Sequence, residues 1–281
     1  MYLNLSDARI FFEVVGPKLE PVGDQMIERP TLLVLHGGPG FDHTTLRPYF
    51  DRFADAFQVV YIDHRGCGRS GGGVSGWHLD QWADDIAAIC AALGIEKPLV
   101  YGNSFGGMVA MHYAVRHPDG PARLILSSTA AQFRLDATQD MMRRLGGERA
   151  AQLARGFFME PSIDGHEEYM KVCAPLYTQT DAPDAKDFMA RAINRPEVGV
   201  HFFTNEMHDM DMRGAIKAIE CPVLVMGGAL DPVTPPICSE EIAKAIGDNA
   251  TLLMFEGCGH GVHRDDPNEA EQAMRSFLGA D

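Results

Sequence analysis

Apolar positions along this 281-residue chain follow two rhythms. The stretches 31–35, 57–62, 98–101, 123–127, 222–226 and 251–255 are almost continuous runs of β-favouring apolar residues. Such runs suit strands that are covered on both faces, as in a parallel sheet. Between them the period lengthens. Over 79–93, Trp82, Ile86, Ile89 and Leu93 recur at near-helical spacing, and 107–114 and 268–278 read as helices too. Residues 8–15 predict an N-terminal strand, followed by a Pro- and Gly-containing loop. Strands alternating with helices predict a mostly parallel, doubly wound α/β sheet.

The rhythm breaks between about 131 and 219. This stretch is rich in Met, Arg, Phe and acidic residues and contains no clear core strand. It is expected to form a helical cap inserted into a core built from 1–130 and 220–281. Met141, Met142, Phe157, Phe158, Met159, Phe202 and Phe203 of this stretch could line an apolar pocket. Met and Phe on such helices are more often plain core.

Composition narrows the setting. Hydrophobic content of 46% and charged content of 22% describe a soluble globular chain. A formal net charge of -15 argues against a nucleic-acid or anionic-membrane surface. No apolar run approaches the ~20 residues a bilayer span requires. The first residues, Met1 to Asp7, carry no basic segment followed by an apolar one, so no secretory signal is expected. Cys67, Cys90, Cys173, Cys221, Cys238 and Cys258 are scattered without CxxC pairs. They fit neither a zinc site nor a disulfide framework, and a cytoplasmic location is expected.

The chemistry concentrates after the strands. Gly102-Asn103-Ser104-Phe105-Gly106 reads G-x-S-x-G between a buried strand and a helix. A serine on such a turn has a strained backbone and an exposed hydroxyl, and the following helix aims its first N–H groups at the site. Asp231 follows the strand at 222–226, and His260 follows the strand at 251–255 in Glu256-Gly257-Cys258-Gly259-His260-Gly261. In open parallel sheets ligands sit beyond the carboxyl ends of the strands, so these three should converge there. A serine hydroxyl needs a base in hydrogen-bond reach, histidine suits that task near neutral pH, and an aspartate fixes its tautomer. Among 11 histidines the nearest rival is His263, which begins a more polar run; His260 directly follows the glycine loop. Asp231 also precedes a proline, as turn aspartates often do.

His36-Gly37-Gly38-Pro39-Gly40 follows another strand. Its glycines let backbone N–H groups approach a developing oxyanion, and the N–H groups of Gly38 and Phe105 are assigned to that hole. Losing one such donor typically costs about 10²–10³ in rate. His36 is expected to hold the loop. The charges of Asp63-His64-Arg65-Gly66-Cys67-Gly68-Arg69-Ser70 are likewise expected to be structural, and no phosphate-cradling G-x-x-x-x-G-K-[ST] pattern occurs.

Taken together, His36–Gly40, Asp63–Ser70, Gly102–Gly107, Asp231 and His260 resemble the α/β-hydrolase superfamily. The Ser-Asp-His chain order is the one that arrangement uses. The pair HGGPG and DHRGCGRS looks more narrowly like the prolyl aminopeptidase (proline iminopeptidase) family. The resemblance spans nearly the whole chain and implies the α/β-hydrolase fold with an inserted helical cap. It further implies that acidic residues in and near the cap hold a substrate's α-amino group. Glu206 falls where one such glutamate would stand, although it also reads as a solvated helix charge. A second acid directly follows the catalytic aspartate in several of these peptidases; here the residue is Pro232.

The expected function is that of a serine hydrolase cleaving an acyl bond through an acyl-enzyme, with no cofactor and no metal. Proline iminopeptidase-like hydrolysis of a small molecule or short peptide leads. A carboxylesterase or lactonase, a carbon–carbon bond hydrolase, and a non-catalytic ligand receptor on the same fold remain as alternatives. Epoxide hydrolases and haloalkane dehalogenases are disfavoured because those families carry aspartate where Ser104 stands.

Overall fold

The computed structural model describes residues 1–180 and 190–280. Its main sheet takes up the apolar runs almost as they stand in the sequence. After β1 (Tyr2–Asn4) and β2 (Arg9–Val15), a short hairpin of β3 (Leu19–Val22) and β4 (Gln25–Glu28) stands apart from the sheet. The sheet continues with β5 (Thr31–Leu35), β6 (Gln58–Ile62), β7 (Leu99–Asn103), β8 (Arg123–Ser127), β9 (Val223–Gly228) and β10 (Ala250–Phe255). Spatial order is β1-β2-β6-β5-β7-β8-β9-β10. The first two strands pair antiparallel and the others parallel.

Every residue of β5, β7 and β9 is buried. Side chains alternate across a strand, so each run feeds two cores. Leu33, Leu35, Val60, Val100, Leu124 and Val225 face one apolar cluster, with α1 (Leu79–Leu93) and α2 (Phe105–Arg116). Leu32, Val34, Val59, Tyr101, Ile125 and Leu224 face the other, packed on Phe50, Phe53 and the C-terminal helix. Helix α1 begins where the His78 side chain accepts the N–H of Gln81 at 3.2 Å and ends on Gly94 at φ 62°.

Residues after β8 are helical: α3 (Leu135–Met159), α4 (Ile163–Val172) and, beyond the undescribed residues, α5 (Pro196–Asn205). Gly147, at φ 76°, breaks α3. These helices stand over the carboxyl ends of the strands and share the first apolar cluster through Met142, Phe157, Tyr169, Val198 and Phe202. Part of the expected 131–219 cap, residues 181–189, lies outside the described residues. The core closes with α6 (Pro236–Ile246), α7 (Val262–Asp265) and α8 (Pro267–Leu278). No helix of the described residues is long and apolar enough to cross a membrane.

Several elements have no counterpart in the sequence reading, among them a hairpin and a core helix. The hairpin β3–β4 occupies the expected loop, turning at Gly23 with φ 61°. Its side chains are almost all exposed, so it carries no apolar alternation to read. Helix α6 lies between the strands at 222–226 and 251–255; Pro235 precedes it and Pro236 is its first residue, where a missing N–H costs nothing.

Candidate active site

Ser104 occupies the step between β7 and α2 with φ 54° and ψ -118°, a conformation a non-glycine residue seldom adopts. The surroundings impose it. A side chain at Gly102 would strike the carbonyl of Gly106, and one at Gly106 would strike the carbonyl of Leu35. The Ser104 N–H donates to Ser127 O at 2.9 Å, and Thr129 Oγ1 donates to Ser104 O at 2.6 Å, so both backbone groups of the strained residue are satisfied.

Three side chains from three strand ends meet here. His260 Nε2 lies 3.0 Å from Ser104 Oγ, and His260 Nδ1 lies 2.9 Å from each oxygen of Asp231. Asp231 is fully buried, so only protein groups answer its charge. Its Oδ1 accepts the N–H groups of Val233 and Thr234 at 2.8 and 2.9 Å, and its Oδ2 accepts Thr234 Oγ1 at 2.8 Å. The residue is therefore a turn aspartate and the partner of His260 at once. With Nδ1–H donating to a carboxylate, Nε2 carries the lone pair and accepts the serine hydroxyl. That is the protonation state a general base needs. Thr234 was not anticipated; a hydroxyl residue at the end of an Asp-Pro-x-Thr turn is the signal that could have marked it. His263 is directed elsewhere. Its ring packs on Tyr49, Phe50 and Tyr101 in the second apolar cluster's territory, and burial together with the Arg264 charge holds it well below the usual imidazole range.

The Gly37–Gly38 loop lies directly over this group: a Cβ at Gly37 would sit 3.2 Å from Ser104 Cβ. Gly38 has φ 129°, and Gly38 and Phe105 both line the cavity in front of Ser104. Phe105 is the first residue of α2, where backbone N–H groups have no intrahelical acceptor. His36 sits beneath the loop. Its Nδ1 donates to Gly37 O at 2.7 Å while Nε2 accepts the N–H of His64 at 3.1 Å, which uses both ring nitrogens in one neutral tautomer. Burial holds its pKa below the ordinary value.

The Asp63–Ser70 segment is knitted by charge. Asp63 accepts from the N–H and Nδ1 of His43 at 3.0 and 2.6 Å and from the N–H of Arg69 at 2.9 Å. Burial alone would raise its pKa, but the hydrogen bond from His43 and the nearby histidines hold it down to about 2. Asp42, His43 and Asp63 stand close enough together to suggest a metal site. Their donor atoms are already engaged, Asp42 by Thr44 and Arg69 and Asp63 by His43 and Arg69, so no ligand set is left over. Arg65 is buried between Asp85 at 2.7 Å and Asp7 at 2.8 Å.

The cavity holds about 570 Å³. Aromatic side chains contribute much of its wall: Phe41, Phe105, Phe133, Phe157, Phe158, Phe202 and Phe203, with Tyr169 and Tyr177. Of the Met and Phe residues weighed above, Met141, Met142 and Met159 are not part of the lining; Met142 is core and Met159 is exposed. Among the described lining residues no Asp or Glu occurs, and Arg264 carries the only formal charge.

Glu206 lies outside this wall. Its carboxylate accepts the N–H of Leu79 at 2.9 Å and so answers the N-terminus of α1. Burial raises its pKa, with the Leu79 N–H opposing. The sequence position expected for an amine anchor is thus occupied by a helix-capping residue, because α5 ends at Asn205 and turns the next side chain toward α1.

A sequence model of the alpha/beta hydrolase fold family matches residues 30–267, and the chain belongs to that family. It is 29% identical to a proline iminopeptidase of Lactobacillus helveticus, over 95% of this chain and 93% of that one. It is 26% identical to a bifunctional esterase/perhydrolase of Acinetobacter calcoaceticus, over 96% and 95%. A solved proline iminopeptidase of Mycobacterium smegmatis superposes with a TM-score of 0.77 at 23% identity, covering 99% of this chain and 97% of that one. The fold is that of the α/β hydrolases, with homologues among peptidases and esterases.

Proposed function

We propose that this protein is a serine hydrolase that cleaves an ester or amide lacking a free ammonium group, through an acyl-enzyme on Ser104. In this reading Ser104 Oγ attacks the acyl carbon as its proton passes to His260 Nε2. The N–H groups of Gly38 and Phe105 receive the oxyanion, and Asp231 steadies the imidazolium. His260 then returns the proton to the departing oxygen or nitrogen. Water repeats the sequence to release the acid. The helices of 131–219 act as the cap that excludes bulk water from the acyl group.

The observation that carries the substrate class is the charge of the cavity. No carboxylate occurs among its described lining residues, and a guanidinium does. A substrate ammonium brought here would be desolvated with no counter-charge among the described lining residues. Glu206, the expected counter-charge, is committed to α1.

A second reading, proline iminopeptidase-like cleavage, is favoured by the similarity to the Lactobacillus helveticus enzyme across both chains. A substrate panel separates the two: p-nitrophenyl butyrate, a small lactone, proline p-nitroanilide and its N-acetyl derivative. The proposal expects kcat/KM to be highest for the butyrate or lactone, with the N-acetyl anilide exceeding the free amine. Preference for free proline p-nitroanilide would overturn it in favour of the second reading. No turnover of any acyl substrate, with no labelling of Ser104, would favour the receptor.

A further inference from the structure

Three polar rings of the cavity lining stand together. Helix α4 presents His166 and Tyr169, three positions apart and so on one face, to the space shared with Ser104. Tyr177 comes from the turn after α4. Its hydroxyl lies 2.7 Å from that of Tyr169, and its ring meets the His260 imidazole edge-on with centroids 5.1 Å apart. Phe157 backs both α4 residues, 4.9 Å from the Tyr169 ring and 5.8 Å from that of His166.

Hydrogen-bond accounting leaves two groups over. Two phenols carry two O–H hydrogens, and the bond between them uses one. The second hydrogen meets no acceptor among the described residues. His166 is only 6% exposed, its ring neighbours are Phe41 and Phe157, and no described residue hydrogen-bonds its nitrogens. The His166 nitrogens are nevertheless not sealed off from solvent, so a polar group placed in the cavity can take the place of water on them. Burial also holds His166 below the usual imidazole range and both tyrosines above the usual phenol range, so all three are uncharged near neutral pH.

We propose that His166 and the Tyr169–Tyr177 pair form a subsite for an uncharged oxygen of the substrate, a ketone, amide carbonyl or hydroxyl set apart from the scissile acyl group. The subsite rests on the reading that Ser104 acts in this cavity. A carbonyl there accepts the spare phenolic hydrogen. A hydroxyl can in addition pair with the imidazole, which offers one donor and one acceptor. A hydrocarbon in the same place displaces water from these groups without replacing its hydrogen bonds. Sites of this kind reject the analogue that lacks the oxygen.

The test compares p-nitrophenyl hexanoate with its 4-oxo and 5-oxo analogues. Each is measured by kcat/KM on the wild type and by calorimetric binding to Ser104→Ala. At least one oxo ester is expected to exceed the parent about tenfold or more in kcat/KM and in affinity. His166→Phe and Tyr169→Phe should each lower that oxo-to-parent ratio at least about fivefold, chiefly through KM, and His166→Gln should restore part of it. A wild-type ratio near or below one for both oxo esters would overturn the subsite. So would variants that lower both substrates by a common factor, which is the mark of a packing role. Turnover without preference removes the subsite alone. Preference in binding without any turnover or Ser104 labelling removes the serine mechanism and leaves the subsite standing.

Discussion

The backbone N–H of His260 donates to the carbonyl oxygen of Tyr177 at 2.7 Å, joining the helical segment to the loop that follows β10. A single carboxylate reinforces that joint. Asp265 Oδ2 accepts the N–H of Gly259 at 2.7 Å, while Oδ1 accepts the N–H groups of Gln179 and Thr180 at 2.9 and 3.2 Å. Asp265 thus gathers the residues beside His260 and those beside Tyr177 onto one side chain, and it touches no reacting atom. Asp265→Ala is expected to let His260 drift and to lower kcat by about 10², the cost of a misplacement near 1 Å. The measurement is kcat and KM on a p-nitrophenyl ester. A change confined to KM would assign Asp265 to the cavity wall instead.

Ser104 should be the residue that a fluorophosphonate modifies, located by mass spectrometry of the labelled peptide. Ser104→Ala and His260→Ala should lose kcat to similar degrees, because the members act as a unit. Asp231→Asn should lower kcat by up to about 10⁴ through the wrong imidazole tautomer. Wild-type kcat in His260→Ala would move the base elsewhere.

Glu206→Ala removes the carboxylate that receives the first N–H of α1. Loss of such a cap costs about 1 kcal/mol, and at this chain length a melting temperature about 2–4 °C lower is expected. Activity on free-amine and N-blocked substrates should change by the same factor. A selective loss on free-amine substrates would return Glu206 to substrate recognition.

His36, His64, His166 and His263 are all buried, and burial lowers the pKa of each. Folded, they resist protonation; unfolded, they titrate near 6.5. The unfolded state therefore binds more protons below that value, and stability falls as pH falls. Urea midpoints measured at pH 7.5, 6.5 and 5.5 should decline mainly over the lower interval, at up to about 1.4 kcal/mol per pH unit for each group. A midpoint unchanged between pH 6.5 and 5.5 would show that these rings protonate within the fold.

Local patterns were enough for the strands at Thr31–Leu35 and Arg123–Ser127, the helix at Leu79–Leu93 and the elbow around Ser104. Each depends on neighbours in sequence: apolar continuity, a 3.6-residue period, glycines flanking one serine. The positions of Asp231 and His260 after strands could be read in the same way, because a parallel sheet delivers all such loops to one edge. Other features were settled only in three dimensions. Whether Glu206 faces a substrate or a helix end depends on where α5 stops relative to α1, residues that are remote in the chain. Thr234 on Asp231, Asp265 across two loops and His166 against Phe157 are likewise distant or side-chain encounters. Periodicity reports which face of an element is buried, whereas the partner on that face is chosen by packing between elements, and that choice sets the charge of the cavity.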